Sequence, residues 1–247
     1  MILLIDIGNS RTKYVELKEG LFSKTTQLSN KAFSTNYFDD NFSRASKVVL
    51  ANVAHENLTR QLKNWCDGNT IVFTQVHSEQ QKNALTSAYQ EPTTLGIDRW
   101  LALLGATRLY PKQNVLIIDA GTATTVDFVD NLGQHQGGWI LAGIQALFDS
   151  ILANSTLVFA KEKAQASVSF GKNTSDNVNN ACWAATLGLI KQAISQAQQL
   201  GELEQIIFTG GNGSALADLL TSEDNDLITK NIVIDNLIFY GLQEYCE

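Results

Sequence analysis

Residues Met1 to Lys13 read MILLIDIGNSRTK, an apolar run that delivers one carboxylate into a turn. Ile2 to Ile5 have the length and β-branched content of a buried strand, and the turn residues that follow argue against a helix. Asp6 interrupts the run. A carboxylate there is costly to bury unless it is paired, hydrogen-bonded or facing a cation. Gly8 lets backbone approach an anion closely, Asn9, Ser10 and Thr12 offer side-chain donors, and Lys13 offers a positive charge. One reading is therefore a phosphate-holding turn, with Gly8 to Lys13 on the oxygens and Asp6 toward a metal. The same residues are also good chemistry for a plain β-hairpin joining Ile2–Ile7 to Thr12–Leu17.

The pattern occurs twice. Val115 to Val126 reads VLIIDAGTATTV, and setting Asp6 on Asp119 brings Gly8 onto Gly121 and Thr12 onto Thr125 without a gap. A repeated strand-turn-strand unit near the start of each half suggests two similar lobes, with their turns facing each other across a cleft that grips one nucleotide tail. The length of 247 residues accommodates two lobes, each able to bury a core.

Outward from the first turn, Gly20 marks a bend and Leu21 to Leu28 is expected as a third antiparallel strand. Residues 29–46 are polar and carry no legible element. Lys47 to Val53 reads as a buried strand, His55 to Cys66 as a helix and Thr70 to Val76 as a strand. A meander followed by alternation points to a mixed sheet covered by helices. Beyond Tyr89, Gln90, Glu91 and Pro92, the stretch Leu95-Gly96-Ile97-Asp98-Arg99 leads into an apolar helix, Trp100 to Leu109. Asp98 is well placed as its N-cap. A carboxylate at a helix start beside a cleft would also suit a base that takes a proton from a substrate hydroxyl.

The second half repeats the plan, with strands Asn114 to Ala120, Ala123 to Val129 and Gly137 to Leu141, then a helix, Ile144 to Leu152. Gly137 and Gly138 suit either a bulge or close backbone approach to a ligand. Residues 161–175 read as a loop. The longest helix is expected over Asp176 to Leu200, capped by Thr174 or Ser175. Glu204 to Thr209 reads as a strand entering Gly210-Gly211-Asn212-Gly213-Ser214, a turn that would let a flat base or ribose lie against bare backbone. A helix from Ala215, a strand Asn231 to Ile234 and a helix Leu237 to Tyr245 complete the chain.

A net charge of −7 argues against a general nucleic-acid or anionic-membrane surface, so any phosphate must be met locally. No stretch reaches the roughly 20 apolar residues of a membrane span, and no basic leader precedes the first strand, so a cytoplasmic protein is expected. Cys66, Cys182 and Cys246 fit neither a disulfide framework nor a zinc site. His55, His77 and His135 are scattered and read as surface or structural residues.

Taken in order, Asp6 to Lys13, Gly96 to Arg99, Asp119-Ala120-Gly121-Thr122, Gly137-Gly138, Gly171-Lys172-Asn173-Thr174 and Thr209-Gly210-Gly211 resemble the type III pantothenate kinases nearly end to end. One departure is that the family commonly has a proline before the glycine at position 143, where this chain has Leu141 and Ala142. The resemblance implies two duplicated ribonuclease H-like, actin-like ATPase lobes, each a mixed five-stranded sheet flanked by helices, with a nucleotide cleft between them. Residues 1–112, completed by a C-terminal helix over 235–247, would form one lobe and 113–234 the other.

It further implies transfer of the ATP γ-phosphoryl group to pantothenate, the first step of coenzyme A synthesis. Asp6, Ile7, Gly8, Asn9, Ser10, Arg11, Thr12 and Lys13 would bind ATP, with Asp6 on Mg²⁺ through water. Thr122 would contact phosphate, and Gly210 and Gly211 the adenosine. Asp119 falls on the ligand of a monovalent cation, K⁺ or NH₄⁺. Tyr89, Gly96, Ile97, Asp98, Arg99 and Thr174 fall on positions lining the pantothenate pocket, with Asp98 as proton acceptor. Arg99 would pair with the substrate carboxylate or with the transferring charge. A homodimer is implied too. Two other readings stand beside this one: a nucleotide-binding regulator without catalysis, which need not keep the three aspartates, and another small-molecule kinase, which would lack the Tyr89, Gly96–Arg99 and Thr174 set.

Overall fold

The computed structural model describes residues 1–246, apart from Ser10, Ala54, 155–164 and 224–229. The chain divides into two compact units, Met1–Leu109 with Asn236–Glu247, and Tyr110–Asp235.

The first unit opens with strands β1 (Ile2–Ile7) and β2 (Arg11–Lys18), followed by the short β3 (Leu21–Phe22) and β4 (Thr26–Ser29). Next come helix α1 (Thr35–Phe42), β5 (Lys47–Asn52), α2 (Glu56–Gly68) and β6 (Val72–Gln75). A two-strand ribbon, β7 (Gln81–Lys82) and β8 (Leu85–Thr86), and a 3-10 turn at Pro92–Thr94 lead to α3 (Ile97–Leu109). The sheet order is β3-β2-β1-β5-β6, with β1 antiparallel to β2 and parallel to β5. Leu3, Ile5 and Ile7 alternate to one face, where they pack with Val48 and Leu50 against α1 and α2.

Two expectations need correction here. The anticipated strand over Leu21 to Leu28 is broken at Ser23–Thr25, and its two pieces pair with different ends of β2, so this sheet has six strands rather than five. The polar stretch 29–46 holds α1, because Phe33, Phe38 and Phe42 are fully buried aromatics dispersed among hydrophilic residues. Phe38 and Phe42 are four apart on one helix face and their rings stack at 5.7 Å, while Trp65 of α2 meets Phe38 edge-on.

The second unit runs β9 (Val115–Ala120), β10 (Ala123–Val129), β11 (His135–Ala142), α4 (Ile144–Ala153), α5 (Thr174–Leu200), β12 (Gln205–Thr209), α6 (Gly213–Glu223) and β13 (Asn231–Val233). Its order is β11-β10-β9-β12-β13, with two antiparallel pairings followed by two parallel ones, as along β3-β2-β1-β5-β6. Leu116, Ile118, Val126 and Phe128 pack against α4, α5 and α6. Ala142 continues the ladder opposite Ala123. Helix α7 (Leu237–Gln243) returns to the first unit and packs on α3.

The duplication is real but one residue out of the gapless register. Ile7 pairs with Thr12 in the first hairpin and Ala120 with Thr124 in the second, so the first turn is one residue longer and Thr12 corresponds to Thr124, not Thr125.

Candidate active site

In the first unit, β1 ends by presenting Asp6 directly opposite Lys13 across the ladder, beside Ala51 of β5. Asp6 is half-buried and points to the face opposite Ile5 and Ile7. The turn closes through the Gly8 N–H donating to the Arg11 carbonyl at 3.0 Å. Asn9 and Arg11 are exposed, whereas Ile7 and Thr12 are fully buried. Ser10, expected among the phosphate donors, lies outside the described residues.

The second cluster of this unit lies along residues 76–98. A pocket of about 410 Å³ is walled by Asn52 at the end of β5 and Val53 after it, by residues 76–78, and by Thr93 to Asp98. The structure thus brings Gly96, Ile97 and Asp98 to one wall. Asp98 is not the N-cap. The helix begins at Ile97 and the Gly96 carbonyl accepts the Trp100 N–H, so Asp98 sits in the first turn, its Oδ1 accepting the Arg99 N–H at 2.9 Å. Arg99 is buried behind that wall and donates to the Tyr89 hydroxyl at 2.9 Å, with its guanidinium 5.8 Å from the ring centroid. Trp100 donates to the Tyr245 hydroxyl at 3.0 Å, and that hydroxyl donates to Glu79, which ties α3 to the C-terminal segment.

In the second unit, Asp119 stands one residue before the end of β9, and the Gly121 N–H closes the turn on the Ala123 carbonyl at 2.9 Å. Thr122 is exposed at the tip, with its carbonyl accepting the Gly143 N–H at 3.1 Å. Gly210 follows β12 at φ +81°, and a Cβ there would collide with the Asp119 carboxylate. The turn Gly210–Gly211 therefore lies directly against Asp119, with the Asn212 N–H on the Ala120 carbonyl. Thr174 is exposed as the first residue of α5, in a different unit from Tyr89 and Asp98. It is not the cap, nor is Ser175. Asn173 caps α5 through its Oδ1, which accepts the Asp176 N–H at 3.0 Å.

Gly137 and Gly138 lie in β11 beside a register shift of the β10 ladder and line a groove of about 250 Å³ with Ala193 and Ala197 of α5. This fits the bulge alternative. His135 is buried with its Nε2 2.9 Å from Asp127, a structural histidine as expected. Burial pushes the Cys66 thiol up to about 12 and raises Cys182 and Cys246 as well, so none is poised as a thiolate nucleophile at neutral pH.

A family model described as type III pantothenate kinase matches residues 2–196. The chain belongs to the type III pantothenate kinase family. A type III pantothenate kinase from Colwellia psychrerythraea is 66% identical over 248 residues, covering 99% of this chain and 100% of that one. Among solved structures, a Campylobacter jejuni chain provisionally assigned as a Baf family transcriptional activator is 26% identical. It covers 98% of this chain and 96% of its own, with a TM-score of 0.63. A Sinorhizobium meliloti chain provisionally assigned as a 2-dehydro-3-deoxygalactonokinase shares the fold at TM-score 0.64 and 13% identity, covering 98% and 97%. This kinase family therefore stands on the α/β fold of sugar kinases and actin-like ATPases.

The donors of this pantothenate kinase can be tested against the cations that ATP chemistry requires. Among the described residues no group of three or more His, Cys, Asp or Glu side chains forms a metal cage. Mg²⁺ bound with a nucleotide keeps several waters and takes one or two carboxylates plus phosphate oxygens. Asp6, a single half-buried carboxylate near the end of β1, is a donor of that kind.

Proposed function

We infer that this chain is a pantothenate kinase that transfers the γ-phosphoryl group of ATP to the primary hydroxyl of pantothenate, the first step of coenzyme A biosynthesis. The observation that carries the reading is the family match across residues 2–196, with Asp6, Asp98 and Asp119 all retained. In this reading the residues from Asp6 to Lys13, together with Thr122, hold the ATP phosphates. Gly210 and Gly211 offer bare backbone to the adenosine. Asp6 holds Mg²⁺ through water and Asp119 holds a monovalent cation, K⁺ or NH₄⁺; bound cations neutralise charge on the phosphates.

Tyr89, Gly96, Ile97, Asp98, Arg99 and Thr174 receive pantothenate. Phosphoryl transfer passes through a loose transition state, so catalysis here is mostly positioning and charge neutralisation. Asp98 need not be a strong base. An alcohol loses its proton late, and a carboxylate within hydrogen-bond reach orients the hydroxyl and accepts the proton as the new bond forms. The Arg99 amide on Oδ1 fixes one edge of that carboxylate. The Tyr89 hydroxyl aims the Arg99 guanidinium, which suits a residue that orients an anionic substrate.

A homodimer in the cytoplasm completes the proposal, supported by the family resemblance. Among the described residues no helix is long and apolar enough to cross a membrane. The test is ADP production by the purified protein with ATP, Mg²⁺ and pantothenate, in potassium and in sodium buffers, with Asp98→Asn alongside. Pantothenate-dependent turnover that needs potassium and falls by about 100-fold or more in Asp98→Asn is expected, the range of a lost general base. A folded wild type that binds ATP but turns over in neither buffer would reverse the conclusion in favour of a regulator.

A further inference from the structure

The turn after β1 is held by its carbonyl groups. Asn30, the residue following β4, donates its Nδ2 to the Gly8 carbonyl at 2.9 Å and to the Asn9 carbonyl at 3.3 Å. Its Oδ1 accepts the Thr12 hydroxyl at 2.9 Å. Because carbonyl oxygens only accept, the orientation of this amide is set by chemistry. Thr12 is fully buried, which anchors Asn30 to the core of the sheet.

From the other side, His55 places Nε2 2.9 Å from the Asn9 carbonyl, and the same argument puts a proton on Nε2. His55 is itself fixed. Its backbone N–H donates to Asn52 Oδ1 at 2.9 Å, and Asn52 donates to Thr59 of α2 at 2.8 Å.

Direction is what these contacts control. In a trans peptide the N–H points opposite to the preceding carbonyl, so pinning the Gly8 carbonyl to Asn30 aims the Asn9 N–H the other way. An anion is met by N–H groups and repelled by carbonyl oxygens. The Gly8 N–H is already spent on Arg11, so the turn has few backbone donors to misdirect. Both bracing groups are also uncharged donors or, for a protonated His55, cationic, so neither opposes a phosphate.

We propose that Asn30 and His55 are positioning residues for ATP, acting through the carbonyls of Gly8 and Asn9 rather than on the nucleotide. This rests on the reading of residues 6–13 as the phosphate turn. The test compares Asn30→Asp, His55→Phe and His55→Gln with wild type, measuring MgATP affinity by calorimetry, KM for ATP, KM for pantothenate, and the thermal midpoint. Asn30→Asp keeps the acceptor for Thr12 and removes the donor; His55→Gln keeps a donor and His55→Phe does not.

The expected result is MgATP affinity and KM for ATP weakened about tenfold in His55→Phe, one hydrogen bond's worth, and by more in Asn30→Asp, which loses two and adds a negative charge. KM for pantothenate should stay at the wild-type value, and His55→Gln should recover most of the loss in ATP affinity. Unchanged ATP affinity in both loss variants would overturn the proposal. So would a parallel rise of both KM values with a lowered midpoint, or a His55→Gln no better than His55→Phe. A wild type that does not bind MgATP would remove the phosphate reading itself, a failure visible before any variant is made.

Discussion

The two hairpin turns do the same geometric job by different means. After β1 the turn is longer, its carbonyls are gripped by the side chains of Asn30 and His55, and its threonine hydroxyl is paired. After β9 the turn is one residue shorter and is gripped by backbone, with the Gly143 N–H on the Thr122 carbonyl and the Gly210 turn pressed against Asp119. A duplicated element therefore keeps its strand ladder and its carboxylate while the support around it is rebuilt. Side-chain support can be substituted residue by residue. Backbone support depends on the absence of side chains.

That contrast predicts its largest effect at glycine. A Cβ on Gly143 would collide with the carbonyl oxygens of Gly121 and Thr122, neither of which is a flexible side-chain end. A Cβ on Gly8 would meet, among the described residues, the Arg11 carbonyl alone, at 3.2 Å. Gly143→Ala should cost about 2–3 kcal/mol of stability, the scale of overpacking, and Gly8→Ala less than about 1 kcal/mol. Denaturant unfolding of both variants checks this. Equal losses would mean that the two turns are supported alike.

How much of this was legible in the residues follows from where the information sits. The strands around Asp6 and Asp119 are short apolar runs with a carboxylate that needs a reason, so local sequence suffices. That the second half repeats the plan of the first was legible through the same repeat, though the order of strands in the sheets was not. Helix α1 was not, because three buried phenylalanines are scattered in a polar segment and only Phe38 and Phe42 have helical spacing. Helix starts were placed late, by three residues at α3 and by two at α5. At α5 several good capping residues stand in a row, Asn173, Thr174, Ser175 and Asp176, and the choice depends on which amide the fold brings into reach. Asn30 and His55 left no signal at all. They come to the first turn from 21 and 46 residues away from Asn9, and no periodicity encodes such contacts.

The smallest predicted effect is also the one that separates the turns by sign. Thr12 and Thr124 occupy corresponding places, opposite the last strand residue before each turn, and both are buried. Thr12 Oγ1 donates to Asn30, whereas Thr124 Oγ1 has no hydrogen-bond partner among the described residues. A paired hydroxyl contributes about 1 kcal/mol net, and its removal also strands the Asn30 oxygen; an unpaired buried hydroxyl costs a similar amount. Valine matches threonine in shape, so Thr12→Val should lower stability by about 1 kcal/mol and Thr124→Val should raise it by up to about 1 kcal/mol. Thermal unfolding of the two single variants reads both signs directly. If Thr124→Val is destabilising, its hydroxyl has a bound partner in solution and the second turn carries side-chain support after all. If the signs differ as stated, Asn30 is the feature that distinguishes the turns, because it alone converts the buried threonine from a cost into a brace.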